Sequence, residues 1–191
     1  RSAVLHGTAL LSVPGGAQRL KAAAVIYEVF PDKSRTELAL PIGQMVQGFD
    51  GKVGWVSMGA QIQDQTKELE SEQHYGLNVL RYCDRPGYEV RPLADAQQGG
   101  KPVKMLAIAD PTGHQTLLSL DPASHKVLAA AYDLDGQTTE VTFSDYRTIG
   151  GVEVAHHFDE KKGGTPVVEI TLTQVEVNQP VDDGLFKKPV A

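Results

Sequence analysis

Gln44-Met45-Val46-Gln47-Gly48-Phe49-Asp50-Gly51-Lys52-Val53-Gly54-Trp55-Val56 sets an Asp-Gly turn signal between two runs of strand character. Asp-Gly is favoured where both central residues of a two-residue turn need positive φ, so 44–49 and 52–56 read as antiparallel partners. Similar turn chemistry recurs along the chain: Gly15-Gly16 after Pro14, Pro31-Asp32, Gly99-Gly100, Pro111-Thr112-Gly113, Asp121-Pro122, Asp135-Gly136, Gly150-Gly151 and Gly163-Gly164. Most pairs of signals enclose a strand-length run. Turns this short join antiparallel neighbours, because a parallel pair needs a crossover of a dozen residues or more. The pattern predicts one large, meandering antiparallel sheet.

The strand Val167 to Val175 places Val168, Ile170 and Leu172 on one face and Glu169, Thr171 and Thr173 on the other. Val141 and Phe143 alternate with Glu140, Thr142 and Ser144 in the same way. Period two with one polar side describes a half-solvated sheet. Between Lys21 and Val29 the residues are apolar on both faces, which predicts a central strand covered on both sides. Ala129-Ala130-Ala131 leaves room above the sheet for a helix or a ligand. One helix is expected, from about Asp64 to Cys83, with Leu69, Gly76, Leu77 and Leu80 on its apolar stripe and Asp64 as N-cap. It reads either as a movable cover or as a fixed helix closing an open sheet.

With 191 residues and no linker or low-complexity tract, the chain reads as one domain, 1–191. Eighteen Lys and Arg against twenty-four Asp and Glu leave a net charge of -6, which disfavours nucleic acid and anionic membrane as general partners. A single cysteine, Cys83, excludes an internal disulfide and a cysteine-based zinc cluster. The abrupt start at Arg1, just before the apparent strand 3–11, leads us to expect that an upstream segment has been removed.

The order of strand, Pro31, strand, a proline turn at Pro41, Asp50-Gly51-Lys52-x-x-Trp55 and a helix near residue 70 resembles the LolA-like superfamily of bacterial periplasmic lipoprotein carriers. Asp145-Tyr146-Arg147 with Gly150-Gly151-Val152, and the closing Val177-Asn178-x-Pro180-Val181-Asp182-Asp183-x-Leu185-Phe186-x-x-Pro189, are similar to the end of many members. The resemblance spans most of the chain through turn and packing signals. It implies an α+β, mainly β fold: a curved antiparallel sheet, an incomplete barrel, with one or more helices over its concave apolar face. Members commonly open with a helix before the first strand, and the expectation here is either that it is missing, which would uncover part of the concave face, or that the numbering starts after a cut. The best-known carriers hold a lid-gripping arginine immediately before the hairpin proline. Phe30 stands there in this chain, so the ATP-driven relay of those carriers is not implied. Related domains also occur in larger envelope or zinc-peptidase-like proteins.

His156-His157 with Asp159 suggests metal, yet adjacent strand residues point to opposite faces, so no metal ligand is assigned. Neither Ser124-His125 nor Ser144-Asp145 is surrounded by a nucleophile elbow, and Asp182-Asp183 reads as a solvated turn. No catalytic residue and no cofactor is expected. The resemblance implies a non-enzymatic carrier of lipid or lipoprotein acyl chains in the periplasm or cell envelope. The alternative is an interaction or scaffold domain, partnered by other domains of a parent protein. Expected cavity residues are Ile26, Phe49, Trp55, Leu77, Leu80, Met105, Tyr132 and Phe143. Trp55 and Tyr132 read equally as ligand contacts or core aromatics. Were Trp55 in the cavity, Trp55→Ala would weaken fatty-acid binding without unfolding the chain.

Overall fold

A computed structural model describes residues 1–13, 18–134 and 136–189. Among the described residues, fourteen strands run in chain order: β1 (Ser2–Ser12), β2 (Arg19–Val29), β3 (Lys33–Leu40), β4 (Gly43–Phe49), β5 (Gly54–Met58), β6 (Gln61–Asp64), β7 (Glu89–Pro92), β8 (Ala96–Gln98), β9 (Lys101–Ala109), β10 (Gln115–Leu120), β11 (Val127–Leu134), β12 (Gln137–Ile149), β13 (Val152–Lys162) and β14 (Thr165–Val177). Their order in the sheet is β6-β5-β4-β3-β2-β1-β14-β13-β12-β11-β10-β9-β7, with β8 beside β9. Every pairing is antiparallel, and the sheet is not closed into a barrel. The expected meander is present, and β1 joins its two halves by pairing with both β2 and β14.

The turns form for the reasons their residues imply. Gly150-Gly151 and Gly163-Gly164 both hold positive φ between directly paired strand ends, as a two-residue hairpin with matching twist requires. At Asp50-Gly51 the connection is longer than the expected two residues. Phe49 pairs with Gly54, and the Asp50 carboxylate accepts the Lys52 and Val53 amides at 2.9 and 2.8 Å, so β5 begins at Gly54 and not at Lys52. The Pro14-Gly15-Gly16 signal and Asp135 lie outside the described residues.

Two expectations change. Ala22 and Ala24 on β2 are buried while Ala23 is exposed, so the first half of this central strand is covered on one face only, and Val25 to Val29 are half-buried on both. Small side chains made an alternating strand read as doubly apolar. The expected helix 64–83 is two pieces, α1 (Thr66–Glu72) and a 3-10 helix (Gly76–Arg81). Gly76 takes φ +59, outside the right-handed helical region, and the chain turns there. Gln65, not Asp64, is the N-cap; Asp64 ends β6 and still accepts the Thr66 amide at 3.1 Å.

Both helical pieces lie on one face of the sheet. Alternation places Ala9, Ala22, Ala24 and Leu38 on that face as one core cluster. Val79, Ile108, Leu118, Ala130, Phe143 and Ala155 form a second. The alanine run of β11 therefore does leave room, and the 3-10 helix fills part of it through Val79. The opposite face carries the C-terminal 3-10 turn Asp183–Phe186 over β3 and β4.

Candidate ligand groove on the helix-covered face

Gly54 sets the depth at which α1 docks. A Cβ there would meet Gln65 O at 2.8 Å and Leu69 Cδ1 at 2.9 Å, so only glycine lets the helix lie this close to β5. The Thr66 hydroxyl accepts the Gly54 amide at 2.9 Å, and Leu69 is buried beneath. From this anchor the chain crosses to the other half of the sheet, where the 3-10 helix seats Val79, 1% exposed, on its core cluster.

The far end of the 3-10 helix is clamped to the β2–β3 hairpin. Arg81 ion-pairs with Glu28, donates to Pro31 O at 2.9 Å and stacks 4.6 Å over the Phe30 ring, while the Tyr82 hydroxyl donates to the same carbonyl at 3.1 Å. Burial pushes the Glu28 carboxyl above its ordinary value, and the Arg81 charge opposes that rise. The arginine that the resemblance would place before Pro31 is thus replaced by Phe30, and the arginine in the contact comes from the helix side.

Beside this clamp, Leu77 and Leu80 overhang a hollow of about 450 Å³ floored by Val127, Tyr146, Ala155 and Phe158. Leu80 is 42% exposed and Phe30 43%, which leaves large apolar surface at the solvent margin. Phe143 lies in the core below, edge-on to Phe158 at 5.7 Å. Lys126, Glu153 and His125 supply the polar rim. A second hollow of about 440 Å³ is lined by Tyr75, His114, Leu117, Ala131, Tyr132 and Thr138. In it the Tyr132 ring stacks on Tyr75 at 5.0 Å, and burial pushes the Tyr132 phenol up to about 12, helped by the Glu160 and Glu72 charges.

Of the expected cavity residues, Leu77 and Leu80 line the first hollow, Phe143 belongs to the core cluster beneath it, and Tyr132 lines the second. Ile26 and Phe49 share the helix-covered face but belong to the half of the sheet that carries α1. Met105 and Trp55 face away. Met105 is opposite Ser119 while its neighbour Leu106 is opposite Leu118, and so it points off the Val79 cluster. Trp55 pairs with Gly48, opposite in phase to Gly54, and its indole donates to Phe186 O at 3.0 Å under the C-terminal turn. Tyr146 and Phe158 line the first hollow without being among the expected cavity residues, because the phase of apolar residues along β12 and β13 changes near Asp145, which holds φ +51.

The sequence matches no protein-family profile and no curated protein. Solved structures do match. A domain from Vibrio parahaemolyticus assigned as an outer membrane lipoprotein-sorting protein aligns over 97% of this chain and 88% of its own length, with TM-score 0.65 and 14% identity. A LolA superfamily protein from Nitrosomonas europaea aligns over 98% of this chain and 90% of its own, with TM-score 0.69 and 12% identity. The chain has a LolA-like fold. A DUF1329 family protein from Desulfovibrio piger is similar over 97% of this chain and 89% of its own, with TM-score 0.65 and 10% identity. Against that LolA-like background, the cysteine Cys83 is a half-buried packing residue beside Val79, with its thiol 3.7 Å from Leu80 O. Among the described residues, no helix is long and apolar enough to cross a membrane.

Proposed function

We propose that this chain is a non-enzymatic binder of a hydrophobic ligand, a lipid or lipoprotein acyl chain, in the bacterial periplasm or cell envelope. The observation that carries the reading is the hollow beneath Leu77 and Leu80, apolar in its floor and walls and rimmed by charge. Its volume of about 450 Å³ falls within the range of small-molecule sites, about 300 to 1,000 Å³. Each buried methylene contributes roughly 0.8 kcal/mol, against an association cost of about 4 to 15 kcal/mol. One acyl chain of ordinary length therefore binds reversibly, as carriage requires. The fold likeness to lipoprotein-sorting domains supports the same reading.

Leu80→Asp tests it. Because Leu80 is 42% exposed, the fold tolerates the change, within about 0.5 kcal/mol for a surface position. Affinity for a fluorescent fatty acid drops at least tenfold, and co-purifying lipid disappears from native mass spectra. Unchanged affinity sinks the assignment of this hollow. One observation favours the second reading, an interaction module of a larger envelope protein: Val79 already fills the β9–β13 part of the helix-covered face with the protein's own core. A protein that purifies free of lipid and rejects added fatty acid belongs to that reading.

A further inference from the structure

Outside the apolar groove, the loop between α1 and the 3-10 helix meets the β9–β10 turn through three side chains, His74, Asp110 and His114. The Asp110 side chain is fully buried. Its Oδ1 accepts the Thr112 and His114 amides at 2.9 and 2.8 Å, and the Thr112 hydroxyl lies 2.8 and 2.9 Å from its two oxygens. This network fixes the carboxylate and turns Oδ2 toward the imidazoles. His114 Nδ1 is 3.1 Å from Oδ2 and His74 Nδ1 is 2.6 Å from it.

The His74 contact has an unusual character. Nδ1 is shielded from solvent and 2.6 Å from a carboxylate oxygen, yet it has no aligned hydrogen bond. Among the described residues no Lys or Arg pairs with Asp110, whose partners are the two histidines. A buried carboxylate without a fixed counter-charge is costly.

We propose that His74, Asp110 and His114 bind a divalent transition-metal ion of the zinc class, which pins the segment before the 3-10 helix to the β9–β10 turn. Two imidazole nitrogens and one carboxylate oxygen suit such an ion, and all three donor atoms lie within 4.8 Å of one another. Tetrahedral bonds of about 2.0 to 2.2 Å set donors roughly 3.3 to 3.6 Å apart, so on loading His114 Nδ1, 3.1 Å from Oδ2, moves out by a few tenths of an ångström and His74 Nδ1, 2.6 Å from it, by roughly 0.7 Å or more. The Thr112 hydroxyl, 2.6 Å from His114 Nδ1, stands beside the same centre and gives up that contact on loading. The cluster of His157, Asp159 and Glu169 is the weaker candidate, because Glu169 is already engaged by Arg19 at 2.5 Å.

The experiment titrates chelator-stripped protein with zinc sulfate by calorimetry at neutral pH, counts bound ions by native mass spectrometry and follows hydrogen exchange. One ion binds per chain. His74→Ala and His114→Ala each weaken binding roughly tenfold or more, and His157→Ala leaves it unchanged. Zinc slows exchange across residues 73–82 in the parent protein and not in His74→Ala. His74 is one-third exposed, so its variant stays folded and decides the matter should His114→Ala fail to fold. The absence of a saturable site overturns the proposal, as does zinc affinity that survives His74→Ala or zinc binding that leaves exchange at 73–82 unaltered.

Discussion

At Trp55 the indole is 1% exposed and its Nε1 donates to Phe186 O, while Phe186 itself is 0% exposed. The pair closes the face of the sheet opposite the groove. Trp55→Ala therefore unfolds the chain more easily, by about 3 to 5 kcal/mol in a denaturant melt, instead of weakening ligand binding selectively as the sequence reading expects. Trp55→Phe keeps much of the volume but leaves the Phe186 carbonyl unpaired, at about 1 to 3 kcal/mol. A melt unchanged by either substitution contradicts this placement. Tyr132 makes a pH prediction. Its folded-state pKa, pushed by burial from 10.0 to about 12, lies above the ordinary value. Its contribution to stability is full below pH 10 and is lost as pH rises through about 12, a window worth about 2 to 3 kcal/mol. Tyr132→Phe removes that alkaline loss, which stability curves measured at rising pH detect.

The helical cover is the element on which the groove depends, and it is two short pieces that cannot hold themselves in place. α1 is held by Leu69 over Gly54, and the 3-10 helix by Val79 below and Arg81 at its end. Removing the guanidinium in Arg81→Ala takes away the Pro31 contact and the Glu28 partner together. Amide exchange across residues 76–82 is then expected to speed up at least tenfold, about 1.4 kcal/mol of local opening, while the strands of the sheet keep their protection. Equal protection in variant and parent would mean that packing alone holds the cover. The apolar stripe of this element was legible in the sequence, but its break was not. Gly76 within a helical pattern is ambiguous by itself; its positive φ arises where the chain passes Tyr132, 3.4 Å from where a Cβ would sit.

Across the whole molecule, β1 is the strand that makes one sheet from two meanders, because it pairs with β2 on one side and β14 on the other. Deleting residues 1–12 exposes two long edges in the middle of the sheet and removes Ala9 from the core. Such a truncated chain is expected to lose its cooperative thermal transition and to aggregate, as circular dichroism and light scattering would report. A sharp, reversible melt would show that the halves fold independently. Alternating runs such as 167–175 and the Gly-Gly pairs determined the antiparallel meander by themselves, because period and turn geometry are local properties of the backbone. Sequence order also carried the likeness to LolA-like proteins. Only the tertiary structure decided which face the helices cover, that Trp55 and Met105 turn away from it, and that His74 reaches Asp110 and His114. Alternation separates two faces without saying which is buried beneath a helix, and contacts between distant strands and loops depend on register and curvature that no local pattern encodes.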